Sequence, residues 1–227
     1  MNISCTRVLV VLFMFVATTS KAQDNTEAFH EHEFAFRHKF SKNYSANFGL
    51  GSRAFIYTDD ALSYRMRQIQ ISHFSTVKLD LKHSIALGVM FRNRALFEDS
   101  SNEIRLTQQF NKKTISRTLR LGHRIRSEQR FFEHYTAFRF RYRLALDLPL
   151  QGLKLDVGET YLVVSNEGLL TNSKIDKPEI EYRLSPSIGM LLSEGLNIEF
   201  GLELRLDKLN INTEETLFFN TSIEYDL

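Results

Sequence analysis

Residues 138–150 read Phe-Arg-Phe-Arg-Tyr-Arg-Leu-Ala-Leu-Asp-Leu-Pro-Leu. Apolar and charged side chains alternate one by one from Phe138 to Leu144, Ala145 continues the second face with a small residue, and Pro149 closes the run. A period of two places Phe138, Phe140, Tyr142, Leu144 and Leu146 on one face of a strand and Arg139, Arg141 and Arg143 on the other. A helix would scatter both sets around its axis. This stretch is therefore a β-strand with one apolar and one strongly basic face.

The same alternation recurs on both sides. Upstream, Leu119, Leu121 and Ile125 oppose Arg120, Gly122, Arg124 and Arg126, and Ile104, Leu106 and Phe110 oppose Glu103, Arg105 and Gln109. Ile85, Leu87, Val89 and Phe91 oppose Gly88, Arg92 and Arg94. Downstream, Ile180, Tyr182, Leu184, Ile188 and Met190 oppose Glu179, Glu181, Arg183 and Ser187. Leu196, Ile198, Phe200, Leu202 and Leu204 oppose Asn197, Glu199, Gly201, Glu203 and Arg205. Leu217, Phe219, Ile223 and Tyr225 oppose Thr216, Asn220, Ser222 and Glu224.

The strand from about Tyr64 to Val77 changes parity between Met66 and Ile69, which predicts a β-bulge near Gln68. Turns are expected at Ser41–Asn43, Asn111–Thr114, Pro149–Gly152 and Ser193–Gly195, with a strand at Leu153–Val164 and the longest loop at Asn166–Lys177. Pro186 interrupts an otherwise regular strand, where a bulge or an early end is expected because proline donates no ladder hydrogen bond. About eleven strands are countable, and a bacterial single-chain barrel has an even number, so ten or twelve are expected, through either a short first strand near Glu27–His32 or a strand split or merged between Arg65 and Phe91.

Residues 1–22 have the form of a cleaved secretory signal. Arg7 precedes the apolar run Val8–Ala17, and Ser20-Lys21-Ala22 sets small residues before a cut at Gln23. That run is short for a membrane helix. The one cysteine, Cys5, falls inside the expected signal segment, so residues 23–227 contain no thiol for a disulfide, a nucleophile or a metal. Lys and Arg total 29 against 27 Asp and Glu, a balance that gives no pull toward nucleic acid.

Alternation alone also suits a soluble sandwich. Three features favour a single all-β, closed, antiparallel up-and-down transmembrane barrel over residues 23–227. The basic and acidic rows complement each other across a lumen; aromatic residues such as Phe40, Tyr44, Tyr64, Phe110 and Phe131 sit near strand ends, as in interfacial girdles; and alternate apolar residues run to Leu227. Lipid supplies the reason for closure, because an unpaired strand edge in hydrocarbon costs several kcal/mol per group.

The chain resembles a family of small Gram-negative outer-membrane barrels grouped as a domain of unknown function. The resemblance rests on Ala22-Gln23, on residues 138–150, on Glu-Tyr-Arg-Leu-Ser-Pro-Ser-Ile-Gly at 181–189 and on Thr-Ser-Ile-Glu-Tyr-Asp-Leu at 221–227. It implies a barrel fold and an outer-membrane location after export, with outer-membrane lipid and the barrel-assembly machinery as partners. It implies no catalytic residues.

The candidate lumen-lining residues are Arg92, Arg94, Arg105, Arg120, Arg124 and Arg126, then Arg139, Arg141 and Arg143, then Glu179, Glu181, Arg183, Glu199, Glu203 and Arg205. They support two readings: a narrow, porin-like channel favouring anionic solutes, or a barrel plugged by its own ion pairs. A surface scaffold acting through outer loops is a third. No cofactor or metal is expected: His30 and His32 offer only a His-x-His pair, short of a zinc ligand set. The expected role is non-enzymatic. The alternative is a lipid hydrolase or acyltransferase, for which Ser72, His73, Ser75 and His123 are the candidates, although no complete catalytic site is assembled from sequence.

Overall fold

A computed structural model describes residues 27–58, 61–116 and 118–227; the expected signal segment lies outside them. These residues form eleven strands: β1 (Glu27–Lys39), β2 (Tyr44–Thr58), β3 (Ala61–Lys78), β4 (His83–Asn93), β5 (Glu103–Ser116), β6 (Leu119–Phe131), β7 (Thr136–Pro149), β8 (Thr160–Ser173), β9 (Glu179–Ser193), β10 (Leu196–Asp207) and β11 (Glu214–Asp226). Each strand pairs with its sequence neighbours, and β1 pairs with β11, closing one barrel.

The strand count corrects the expectation of ten or twelve. Residues 27–32 open β1 itself and do not form an additional strand. An odd number sends the first and last strands the same way, so their pairing is parallel, from Glu27↔Thr216 to Arg37↔Asp226. Every other pairing is antiparallel. Closure is complete because a parallel ladder also satisfies the edge groups, with slanted hydrogen bonds.

The bulge expected near Gln68 is present: Arg53 pairs with Gln68 and Ala54 with Met66, leaving Arg67 as the extra residue. Pro186 produces neither a bulge nor an early end. It pairs with Val164 of β8 in unbroken register, and β9 runs on to Ser193. On the other side the β9–β10 ladder lapses between Gly201↔Ser187 and Leu204↔Leu184, then resumes in the same register. Gly201 allows the close approach there: a Cβ would stand 3.0 Å from the Ser187 Cβ and 3.2 Å from the Pro186 carbonyl oxygen.

Three expected boundaries also move. Asn111–Thr114 lies within β5, and residues 166–173 belong to β8. Residues 150–159 form the loop placed further on by the sequence reading, with Gly152 and Gly158 at φ 64° and 87°, a backbone glycine adopts without strain. At the turn between β3 and β4, Asp80 accepts from the His83 ring and from the Lys82 and His83 amides, which holds its carboxyl down to about 2.

The strands are 11 to 18 residues long, enough to cross a bilayer core at a tilt. Their outward face is apolar around the circumference. Leu50, Ile71, Leu87, Phe110, Ile125, Phe140, Leu170, Ile188, Phe200 and Phe219 are all exposed. The inward face is the reverse: Leu87 is 65 % exposed, whereas inward Glu103 and Glu128 are 0 % and 1 % exposed. This chain buries its charges and exposes its hydrocarbon.

Candidate functional site

The barrel interior concentrates the ionisable chemistry. Its widest charged region lies on β4 to β9. Glu103 is the hub: it accepts from Arg105 at 2.7 Å and Arg130 at 2.8 Å, and Arg92 reaches it at 3.3 Å. Arg105 also faces Glu128 at 3.6 Å. Arg141 bridges Glu128 at 2.9 Å and Glu167 at 2.5 Å, and Glu167 takes Arg124 at 3.2 Å. Arg139 reaches past β8 to Glu181 at 2.6 Å, donating to Thr171 on the way, and Arg183 takes the other Glu181 oxygen at 2.9 Å.

Register explains the need for these carboxylates. Arg124 faces Arg143 and Arg126 faces Arg141 directly across the β6–β7 ladder. Like charges opposite one another are destabilising. Glu128 and Glu167, one strand position away, offset that repulsion.

The parallel seam is built differently. Phe29, Phe55 and Phe218 from β1, β2 and β11 pack inside the barrel, with ring centroids 4.9 and 5.1 Å apart. Guanidinium groups cover the rings: Arg205 lies 3.6 Å over Phe218, Arg53 4.8 Å over the same ring, and Arg67 4.8 Å over Phe29. Glu31 joins the two styles, accepting from Arg53 at 2.7 Å and facing Arg205 at 3.5 Å. Arg205 also bonds Glu203.

Most sequence candidates enter this network: Arg92, Arg105, Arg124, Arg139, Arg141, Glu181, Arg183, Glu203 and Arg205 do so as described. Arg94 donates to Gln68 at 3.1 Å and, with Glu179, lines a cavity of about 140 Å³ at one mouth of the barrel. Arg126 donates to Gln109 and lies 5.2 Å from the Phe74 ring centroid. Glu199 accepts from Tyr161 at 2.7 Å and Ser187 at 3.2 Å instead of taking an arginine. Arg143 points inward with a buried Nε. Arg120 is peripheral, half exposed and 3.7 Å from Asp147.

The residues missed as candidates include Glu31, Arg53, Glu103, Glu128, Arg130 and Glu167, three of them carboxylate hubs, whereas the hub Glu181 was among the candidates. Glu103 was legible by its parity with Arg105. Glu167 was hidden by Asn166-Glu167-Gly168, which has turn composition but forms strand because tertiary pairing overrides local propensity.

The outward face carries the remaining chemistry. The rings of His30 and His32 lie tilted to each other with centroids 3.8 Å apart on β1, and His30 meets the Thr221 hydroxyl at 3.1 Å. Among the described residues, no three His, Cys, Asp or Glu side chains gather to hold a metal. His123 Nδ1 lies 2.9 Å from the Tyr142 hydroxyl. His73 Nε2 lies 3.1 Å from the Ser75 Oγ, and the Tyr44 hydroxyl lies 3.1 Å from the same oxygen. Ser72 is on the opposite, inner face, opposite Gly49.

The family model described as a protein of unknown function, DUF2490, matches residues 32–215. The chain belongs to the DUF2490 family. As a DUF2490 member, it shares a closed all-β barrel with the resemblance stated above. Among solved structures, the siderophore receptor PirA from Pseudomonas aeruginosa is similar over 78 % of this chain and 33 % of the receptor chain, at 15 % identity and a TM-score of 0.28. The DUF2490 chain thus spans about a third of that receptor. No curated protein matches it.

Proposed function

We propose that this DUF2490 protein is an integral barrel of the Gram-negative outer membrane whose interior is filled by its own side chains, so that it serves the envelope without conducting solutes. Export through the expected signal segment precedes insertion, with barrel-assembly machinery and outer-membrane lipid as the partners. The carrying observation is the inversion of faces: an apolar belt around the circumference and buried ion pairs inside. Water-soluble monomers rarely expose so large a contiguous apolar surface, whereas hydrocarbon accepts it at no cost.

Burial of the inner charges favours the plugged reading over the channel. A solvent-filled lumen wets its lining, yet Glu103, Glu128, Arg92, Arg105 and Arg130 are all 8 % exposed or less. Their charges are spent on one another, leaving no selective ring for a passing anion. Membrane insertion is tested on the purified chain in detergent. The folded form should resist SDS at room temperature and shift its gel mobility on boiling, and the cellular protein should sediment with outer-membrane markers. A protein that stays soluble without detergent and shows no shift would overturn the proposal.

A further inference from the structure

Polar side chains are costly on a lipid-facing wall and call for a reason. On β10 there are none, since Leu196, Ile198, Phe200, Leu202, Leu204 and Leu206 are all apolar, and on β4 Ile85, Leu87, Val89 and Phe91 run unbroken between His83 and Asn93 at its ends. On β3, β5 and β6, by contrast, the outward face holds His73, Ser75, Gln108, Ser127 and Gln129. Register aligns Ser75 with Leu87, Leu87 with Gln108 and Gln108 with Ser127, so Leu87 separates Ser75 from the polar pair Gln108 and Ser127 on this wall. A groove of about 510 Å³ runs along it, lined by Ser75, Val77, Leu87, Gln108, Phe110 and Ile125.

We propose that Ser75 and His73 form a nucleophile–base pair that cleaves acyl esters of lipids, with the acyl chain lying in this groove. Residues two apart on a strand share a face, and the imidazole bridges the gap to bring Nε2 to 3.1 Å from Oγ. That is within the range of a working serine–histidine pair. The Phe48 ring, 4.6 Å from the imidazole, fixes its plane. The Tyr44 hydroxyl lies 3.1 Å from Ser75 Oγ, where it can donate to the serine oxygen while the serine proton points to His73. Gln108 and Gln129 bond each other reciprocally at 3.0 and 3.1 Å. That pair lies two and three strands from Ser75, beyond Leu87, on the far side of the groove.

The step balances with water as the only co-reactant. Ser75 Oγ bonds to the ester carbonyl carbon while His73 Nε2 takes the serine proton. The tetrahedral adduct collapses, the ester C–O bond breaks, and His73 returns the proton to the departing alcohol. Water then repeats the sequence on the acyl-serine, releasing a fatty acid and restoring Ser75. His73 Nδ1 is buried with no hydrogen-bond partner among the described residues, so the pair works without a protein orienter and turnover should be slow.

The inference rests on the membrane reading, because only there does the groove meet acyl chains. The full chain, shown folded by its heat-dependent gel shift, is mixed with phosphatidylethanolamine vesicles and separately with lipopolysaccharide, and released fatty acid is measured. In parallel a fluorophosphonate probe is added and the labelled residue identified by mass spectrometry. Expected are a probe adduct on Ser75 and fatty-acid release from at least one lipid, with release falling by about 10²-fold or more in Ser75→Ala and in His73→Asn. Tyr44→Phe should lower kcat with KM unchanged, and His123→Ala should leave release as it was. A chain that keeps its gel shift yet neither labels at Ser75 nor releases fatty acid, or whose release survives Ser75→Ala, overturns the dyad and leaves the membrane barrel standing. Loss of the gel shift itself defeats the membrane reading instead.

Discussion

The two walls of the interior fill the same space by different physics. On β4 to β8, carboxylates serve as hubs for two or three guanidinium groups each. At the β11–β1–β2 seam, three phenylalanines supply the bulk and guanidinium groups lie on their rings. The first solution depends on charge balance: removing one acid strands several buried cations, and the penalty for an unpaired buried charge exceeds the net worth of the pair. The second depends on volume and ring geometry, because each cation–π contact adds only about 0.5–2 kcal/mol beyond apolar burial. The comparison teaches that one barrel can bury its arginines in two ways, by ion pairing and by stacking on rings.

The largest test of that contrast is Glu103→Ala. It strands Arg92, Arg105 and Arg130 and should lower stability by about 5 kcal/mol or prevent folding, read from urea unfolding of the heat-modifiable band. Phe218→Ala should cost about 3 kcal/mol in the same titration, through the cavity and the lost stacking. An order reversed between these two would break the distinction between the walls. Arg205→Lys keeps the charge but loses the planar stack on Phe218 and the fork toward Glu203 and Glu31, a loss of about 1–2 kcal/mol. Glu103 and Phe218 share no partner, so their double variant should be additive within about 0.5 kcal/mol; a larger coupling would join the two walls into one unit. Smallest is Arg120→Ala at the exposed rim, worth less than about 0.5 kcal/mol and weaker still at high salt.

Period-two alternation made most of the barrel legible, because inward and outward environments differ so sharply that every regular strand records them. It failed where composition and tertiary pairing disagree. Asn111-Lys112-Lys113-Thr114 reads as a turn, yet it continues β5 toward the barrel end. Pro186 reads as a break, yet its missing donor affects one ladder only and Gly201 accommodates it. The parallel seam left no local mark, because it depends on where the first and last strands meet. The basic half of the interior was readable from its arginines. The acidic half was readable in part: Glu179, Glu181, Glu199 and Glu203 stood out by parity, whereas Glu167 sat in a stretch that reads locally as loop. The His73–Ser75 contact needed side-chain geometry that spacing alone does not supply.

The central claim is that the two walls together close the lumen, and single-channel recording of the purified barrel in planar bilayers tests it most directly. The account predicts a silent membrane for the wild-type chain at all applied voltages. Stepwise, reproducible conductance from the folded wild-type barrel would contradict it.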